Sequence, residues 1–102
     1  MSSVLDQALH VYAEEVITIP ASSTGLTLTN VLTTPQPSKV EIFVESAQVR
    51  VRVDGTAPTS TVGEVLNPFD RYTLYGPEQA YNFRAIRTGG TSANLHVRYL
   101  RR

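Results

Sequence analysis

Residues 49–56 read Val-Arg-Val-Arg-Val-Asp-Gly-Thr, an alternation of apolar and charged side chains that stops at an Asp-Gly pair. A period of two residues is typical of a β-strand with one buried face and one face in water. The three valines are therefore predicted to point into a core, and Arg50 and Arg52 to point outward. Gly55 ends the strand, because glycine weakens a strand interior and favours a turn.

The preceding segment, residues 39–45, alternates in the same way and is the natural partner of this strand. A two-residue loop at Ser46-Ala47 predicts a β-hairpin with apolar pairs on one face and opposite charges on the other. The register of that hairpin pairs Val44 with Val49, Ile42 with Val51, Val40 with Val53, Glu41 with Arg52 and Lys39 with Asp54.

Residues 81–87 and 95–100 predict a second hairpin, joined by Gly89-Gly90-Thr91. Its register pairs Ala85 with Leu95, Phe83 with Val97 and Tyr81 with Tyr99. Further short strands are predicted at residues 16–19, 26–32, 62–66 and 70–76. About eight short antiparallel strands separated by turn residues predict an all-β fold, either a β-sandwich or a jelly roll.

Residues 1–15 have a different pattern, in which Leu5, Leu9 and Tyr12 recur at helical spacing. The segment predicts either a short helix or an extended N-terminal arm, and it is too short to form a stable helix alone in water. We therefore expect it to lie against its own domain or a neighbouring subunit, with Leu5, Leu9 and Tyr12 as anchors. The β-sandwich domain is expected to span residues 16–102.

The length of the chain, 102 residues, is that of a single domain. A formal net charge of zero argues against electrostatic binding to nucleic acid, and no apolar run is long enough to span a membrane. Residues 1–48 carry five acidic side chains and one lysine, whereas residues 49–102 carry eight arginines and four acidic side chains. This asymmetry indicates either pairing of strands within one chain or head-to-tail assembly of copies.

No group of residues predicts an enzyme. The chain has no cysteine, and His10 and His96 lie far apart without the spacing of a metal site. No serine lies in a Gly-x-Ser-x-Gly motif, and the adjacent carboxylates of Glu14 and Glu15 would point to opposite faces of a strand. No glycine-rich phosphate-binding loop is present. We therefore expect no catalytic site, no metal and no cofactor.

The arginines are the candidates for contacts with another protein, because arginine is enriched and lysine depleted at protein interfaces. The chain has eight arginines and one lysine. The predicted contact residues on strands are Arg50, Arg52, Arg84 and Arg98. The alternative is an ordinary solvated sheet face whose arginines pair with acids of the same chain.

Three motifs in the second half follow one another along the chain. They are Val-Arg-Val-Arg-Val-Asp-Gly-Thr-Ala-Pro-Thr at 49–59 (followed by Gly63), Asn-Phe-Arg-Ala-Ile-Arg-Thr-Gly at 82–89, and Ala-Asn-Leu-His-Val-Arg-Tyr at 93–99. In this order the second half of the chain resembles small structural proteins encoded in the virion gene clusters of tailed bacteriophages.

The resemblance implies a β-sandwich present in many copies in the virion, assembled in the bacterial cytoplasm. Its implied partners are the major capsid protein, other virion proteins and copies of itself, and its implied role is to decorate or cement the head shell. A neck, tail or fibre-attachment role is one alternative. The other is a carbohydrate- or small-ligand-binding sandwich with aromatic side chains at a concave site, for which Tyr72, Tyr75 and Tyr81 are candidates.

Overall fold

The structure is a computed structural model that describes residues 9–102. These residues form eight β-strands and two short helices. In chain order the elements are β1 (His10–Ile19), β2 (Thr24–Gly25), α1 (Leu28–Val31), β3 (Lys39–Ser46), β4 (Val49–Arg52), β5 (Glu64–Leu66), β6 (Arg71–Tyr75), α2 (Gly76–Asn82), β7 (Arg84–Arg87) and β8 (Ala93–Arg101). Neither helix is long enough to cross a membrane, and no other helix occurs in this part of the chain.

The strands form two antiparallel four-stranded sheets, in the orders β1-β8-β3-β6 and β2-β7-β4-β5. The chain passes from one sheet to the other at every connection except β4–β5. Two sheets wound together in this way are an eight-stranded jelly roll. The predicted all-β sandwich or jelly roll is therefore confirmed.

The core lies between the two sheets and consists of side chains from alternate strand positions. Val40, Ile42 and Val44 of β3 are buried, as are Val49 and Val51 of β4. Phe83, which caps the end of α2, Ala85 of β7, and Leu95, Val97 and Tyr99 of β8 complete the centre of the core. Each of these buried positions was predicted from the two-residue period.

The predicted hairpin between residues 39–45 and 49–53 is wrong. β3 pairs with β8 and β6, whereas β4 lies in the other sheet between β7 and β5. The short connection, in which Ala47 has a φ of 61°, carries the chain across the core instead of folding it back in one sheet. Their apolar faces therefore meet through the core, and Arg52 pairs with Asp54 (2.7 Å) instead of with Glu41.

The predicted hairpin between residues 81–87 and 95–100 is wrong for the same reason. β7 pairs with β4 and β2, and β8 pairs with β1 and β3 in the opposite sheet. Tyr81 was expected opposite Tyr99 in the core, but it belongs to α2 and is 56% exposed. The predicted strand at 26–32 is also wrong, because α1 occupies its centre and buries Val31.

The N-terminal prediction is corrected over residues 10–15, which belong to β1 and continue without a break into the strand predicted at 16–19. β1 pairs with β8 from His10 opposite Arg101 to Ile19 opposite Ala93. A bulge between Val11 and Ala13 interrupts the alternation, which explains why the spacing of Leu9 and Tyr12 suggested a helix. Leu5 and the rest of residues 1–8 lie outside the described residues.

The strand order can be tested with cysteine pairs, since the natural chain has no cysteine. Glu41 and Thr73 are directly opposite each other in the β3–β6 pair. Their Cα atoms are expected to lie about 4.5–5.5 Å apart, within the range that a disulfide spans. We expect Glu41→Cys/Thr73→Cys to form an intramolecular disulfide on mild oxidation, measured by loss of free thiol and a shift on non-reducing gels.

The matched control is Glu41→Cys/Arg52→Cys, the pair that the β3–β4 hairpin would join. In the jelly roll these two side chains lie on opposite outer surfaces of sheets that pack about 10 Å apart, so this variant should keep both thiols. Efficient cross-linking of the control would contradict the strand order.

Candidate functional site

The outward side chains of the β1-β8-β3-β6 sheet form a continuous surface, which we call the front face. It is defined by Glu14 and Val16 of β1, His96 and Arg98 of β8, Glu41, Phe43 and Glu45 of β3, and Arg71 and Thr73 of β6. A groove of about 360 Å³ crosses it over β8, β3 and β6. Four hydrogen-bonded strands form the backbone of the front face, so its side chains project from a rigid support.

An aromatic and arginine cluster lies at one end of the front face. The rings of Phe43 and Phe69 are 6.3 Å apart, and the guanidinium carbon of Arg71 lies 4.7 Å from the centre of the Phe43 ring. Phe69 is 74% exposed, the largest exposure among the big apolar side chains of residues 9–102. The cluster is therefore an apolar protrusion in water, bordered by a cation.

Phe69 is held in a backbone conformation that bulky side chains avoid. It occupies the third position of the turn Asn67–Asp70, with a φ of 74°, and the Asp70 amide donates to the Asn67 carbonyl at 3.0 Å. Glycine or asparagine normally fills that position after a proline, because a side chain there adds about 1–2 kcal/mol of strain.

Neighbouring groups fix this turn in place. The Phe69 amide donates to the Val44 carbonyl at 2.6 Å, and the Asp70 carboxylate accepts from the Asn67 amide at 2.8 Å. Core packing does not explain a phenylalanine at this strained position, since its side chain is mostly in water. Backbone strain of this kind concentrates at functional positions.

The charges of the front face neutralise one another across three strands. Glu14 Oε1 lies 3.0 Å from His96 Nε2 and 3.7 Å from Arg98 Nε. Glu41 lies 3.9 Å from Arg98 and 3.4 Å from Lys39. Each pair is partly exposed and contributes at most about 1 kcal/mol. Arg98, a predicted contact residue, is thus shared between two carboxylates of its own chain and lies within the front face.

The other three predicted contact arginines, Arg50, Arg52 and Arg84, lie on the outer surface of the β2-β7-β4-β5 sheet, so the structure does not bring the four together. Arg50 donates to the Ser60 carbonyl at 3.1 Å and to the Gly63 carbonyl at 2.8 Å. It therefore holds the loop between β4 and β5 against the sheet.

Arg52 and Arg84 are opposite each other in the β4–β7 register, and each has a partner in its own chain. Arg52 pairs with Asp54, whose pKa is lowered first by the Thr56 amide hydrogen bond and then by the Arg52 guanidinium. Arg84 donates to the Ser23 carbonyl (3.3 Å) and hydroxyl (3.0 Å). Unlike Arg52, Arg84 has no carboxylate among these described contacts.

Tyr12, a predicted arm anchor, is anchored within its own domain. Its hydroxyl donates to the Asn30 carbonyl of α1 at 2.7 Å, and the Arg101 guanidinium lies 4.1 Å above its ring. Burial raises the pKa of the Tyr12 hydroxyl, and the charge of Arg101 opposes that shift. Leu9 is half-buried just before β1.

Glu15 points to the inner side of β1 and was not recognised from the sequence. Its carboxylate accepts from Thr27 Oγ1 at 2.6 Å, from Asn30 Nδ2 at 3.3 Å and from the Tyr99 hydroxyl. Burial, followed by the hydrogen bond to Glu15, raises the pKa of Tyr99. The carboxylate therefore ties α1 to β1 and β8, a structural task.

A second groove of about 410 Å³ lies at the other side of the sandwich, beside α1 and α2. Its lining includes Leu28, Tyr81, Asn82 and Arg84. Gly25 and Gly55 also line it, and their lack of side chains leaves those parts of the wall open. Of the three candidate tyrosines, Tyr72 packs against the core and Tyr75 is exposed on β6, so that only Tyr81 lines a groove with its side chain in water.

The strain at Phe69 predicts that glycine is the better residue for the fold. We expect Phe69→Gly to be about 1 kcal/mol more stable than Phe69→Ala, because glycine adopts a positive φ without strain. Urea denaturation of both variants measures the difference. At Gly90, which has open space around it and no positive φ, alanine should not be destabilising in this way. Equal stability of the two Phe69 variants would contradict the strain.

Among residues 9–102, no three histidine or acidic side chains come together as a metal site, and no buried side-chain nitrogen or oxygen lacks a hydrogen-bond partner. The two features that sequence reasoning missed on the front face leave a trace in the sequence. Phe43 interrupts the polar positions of β3, and Asn67-Pro68-Phe69-Asp70 has a bulky residue where the turn favours glycine. No protein-family model matches the chain, and no curated protein or solved structure is significantly similar to it.

Proposed function

We propose that this chain is a non-enzymatic structural protein that binds another protein through its front face, and that its place is the bacteriophage virion. The single observation that carries the binding role is Phe69, an exposed aromatic side chain held in a strained backbone beside Phe43 and Arg71. The virion assignment rests on the resemblance of residues 49–99 to phage structural proteins. The head shell is the proposed location, and a neck, tail or fibre-attachment position is the alternative.

The cluster has the composition of an interface anchor. Aromatic and arginine side chains are enriched where proteins meet, and a few residues at the centre of a patch from which water is excluded carry most of the binding energy. Phe69 protrudes, whereas the adjacent groove is recessed, so a partner could receive the ring and fill the groove at once. Because the hydrogen bonds of the turn already fix the Phe69 backbone, little backbone entropy is lost on binding.

The paired charges around the cluster favour specificity. Glu14 and Glu41 are balanced by Arg98 and Lys39, so these four charges attract no partner by net charge alone. A partner with a matching pattern can exchange these weak pairs for pairs across an interface, whereas a mismatched surface leaves like charges in contact. Many-copy attachment to one defined shell protein requires this kind of discrimination.

The fold is compatible with this role. Jelly rolls occur in viral capsid domains and also in lectins, so the architecture alone does not assign a function. The motifs that resemble phage proteins lie on β4 and its following loop and on the segments that form β7 and β8. They build the frame of the sandwich, whereas the proposed contact residues lie mainly on β3, β6 and the turn between β5 and β6.

The test is co-sedimentation with phage particles produced by the host that carries the gene. We expect the purified protein to bind these particles in many copies and Phe69→Gly to bind about 30-fold more weakly, since an anchor of this kind contributes at least about 2 kcal/mol. Phe69→Gly retains the turn, so weaker binding would not reflect misfolding.

Tyr81→Ala is the matched control, because it also removes an exposed aromatic ring, from the opposite side of the molecule. It should co-sediment like the wild type. Absence of the wild-type protein from the particles would exclude the virion role, and wild-type binding by Phe69→Gly would exclude the front-face cluster as the contact.

A saccharide-binding role is the second candidate, and it is favoured by the groove at Tyr81. An exposed tyrosine ring, the Asn82 amide and the Arg84 guanidinium line one open concavity. A ring of this kind can lie against a sugar, while the amide and the guanidinium are suited to its hydroxyl and carboxylate groups. The ligand class would be an acidic saccharide.

A glycan array with neutral and acidic saccharides tests this candidate. We expect binding of acidic glycans that weakens about tenfold in Tyr81→Ala and is unchanged in Phe69→Gly, the reverse of the pattern for virion binding. If no glycan on the array binds, the saccharide role is excluded.

A further inference from the structure

β1 has a long edge that is unpaired within residues 9–102. Nine of its ten residues pair with β8 on one side, with Tyr12 in the bulge, and on the other side no residue of 9–102 makes a backbone hydrogen bond to it. The other terminal strands are much shorter: β2 has two residues, β5 has three and β6 has five. An unpaired edge of this length presents a row of free amide and carbonyl groups, which is a template for strand addition.

β1 has only some of the devices that normally protect such an edge, namely the charges of Glu14 and Glu15 and one bulge. It has no proline, glycine or lysine, and its single bulge lies near the start, between Val11 and Ala13. The remainder, residues 13–19, is regular. Val16, at the centre of this part, points outward on the front face and is 57% exposed.

We propose that two copies of this chain pair β1 with β1 in antiparallel orientation, about a two-fold axis at Val16. In the arrangement that keeps the two front faces on one side, outward residues come opposite outward residues and inward residues opposite inward ones. An axis at Glu14 or Glu15 would place a carboxylate opposite its own copy, and like charges directly opposite destabilise a strand pair.

The axis at Val16 avoids this conflict. It brings the two Val16 side chains together, places Thr18 opposite Glu14 of the second copy, and Ile17 opposite Glu15 of the second copy. The whole regular part of the strand, from Ala13 to Ile19, is then paired. An axis at Ile17 would also separate the carboxylates, but it would pair only residues 15–19 within the strand.

The pairing would join two sheets into one of eight strands, with two front faces side by side. Each copy would contribute its own cluster of Phe43, Phe69 and Arg71, so a partner with repeated sites would be bound bivalently, with higher avidity than by one copy. The dimer does not depend on the proposed function, because its formation is measured as the molecular mass of the purified protein, with no binding partner present.

Light scattering behind a sizing column tests the dimer. We expect twice the chain mass of 11.2 kDa for the wild-type protein. Val16→Lys and Val16→Glu should each be monomeric, with dissociation constants raised at least about tenfold, because each places like charges on the two-fold axis. Thr73→Lys, on the outward side of the opposite edge strand β6, is the control and should remain dimeric.

A mixture of Val16→Lys and Val16→Glu should recover a mass of two chains, since the opposite charges then meet across the axis. This recovery would not occur if the substitutions acted by unfolding the chain. A wild-type monomer at every soluble concentration would overturn the proposal. A wild-type dimer that survives both Val16 substitutions and is lost when residues 1–8 are removed would also overturn it, in favour of exchange of N-terminal segments.

Discussion

Packing of the inward faces of the two sheets is the constraint on which the rest of the structure depends. The apolar row of β3, formed by Ile42 and two valines, lies in one sheet, and the two valines of β4 lie in the other. Neither row is removed from water until the two sheets pack together. Once they meet, every outward position on each sheet is determined, because side chains alternate along a strand. The front face is thus a direct consequence of the core, and Phe43 is displayed because its neighbours Ile42 and Val44 are buried.

The periodicity of the sequence was enough to predict the buried faces but not the strand partners. Val49 and Val51 alternate with arginines whether the preceding strand lies beside them or across the core, so the pattern is identical for a hairpin and for a crossing connection. The difference lies in a short segment at Ala47, which takes a positive φ without a glycine to indicate it. A similar ambiguity led to the wrong prediction that Tyr81 lies on a strand, because a single tyrosine before Phe83 is compatible with a short helix as well as with a short strand.

The candidate site was predictable only in part, for reasons of chemistry. The number of arginines suggested a contact surface, but Arg50 donates its hydrogen bonds to the carbonyls of Ser60 and Gly63, which come close to it only when the chain folds. Composition counts charges and cannot show which are already satisfied by backbone groups. The anchor that the structure displays is instead apolar, and its sequence signal is a phenylalanine in a turn position that favours glycine. That signal is local, so it could have been read before the fold was known.

Two features of this chain are unfavourable for a domain that remains alone in water, and both belong to the same sheet. Phe69 adds backbone strain while leaving its ring in water, and β1 leaves a ten-residue edge without a protecting lysine or proline. Local rules are broken in natural proteins mainly where a function requires it, because substitutions that would remove such defects are easily found. Strand pairing at β1 and ring burial at Phe69 would each remove one defect. Because β1 is at one edge of the four-stranded sheet and the cluster lies towards the other edge, at β3 and β6, pairing at β1 leaves the cluster free to bind.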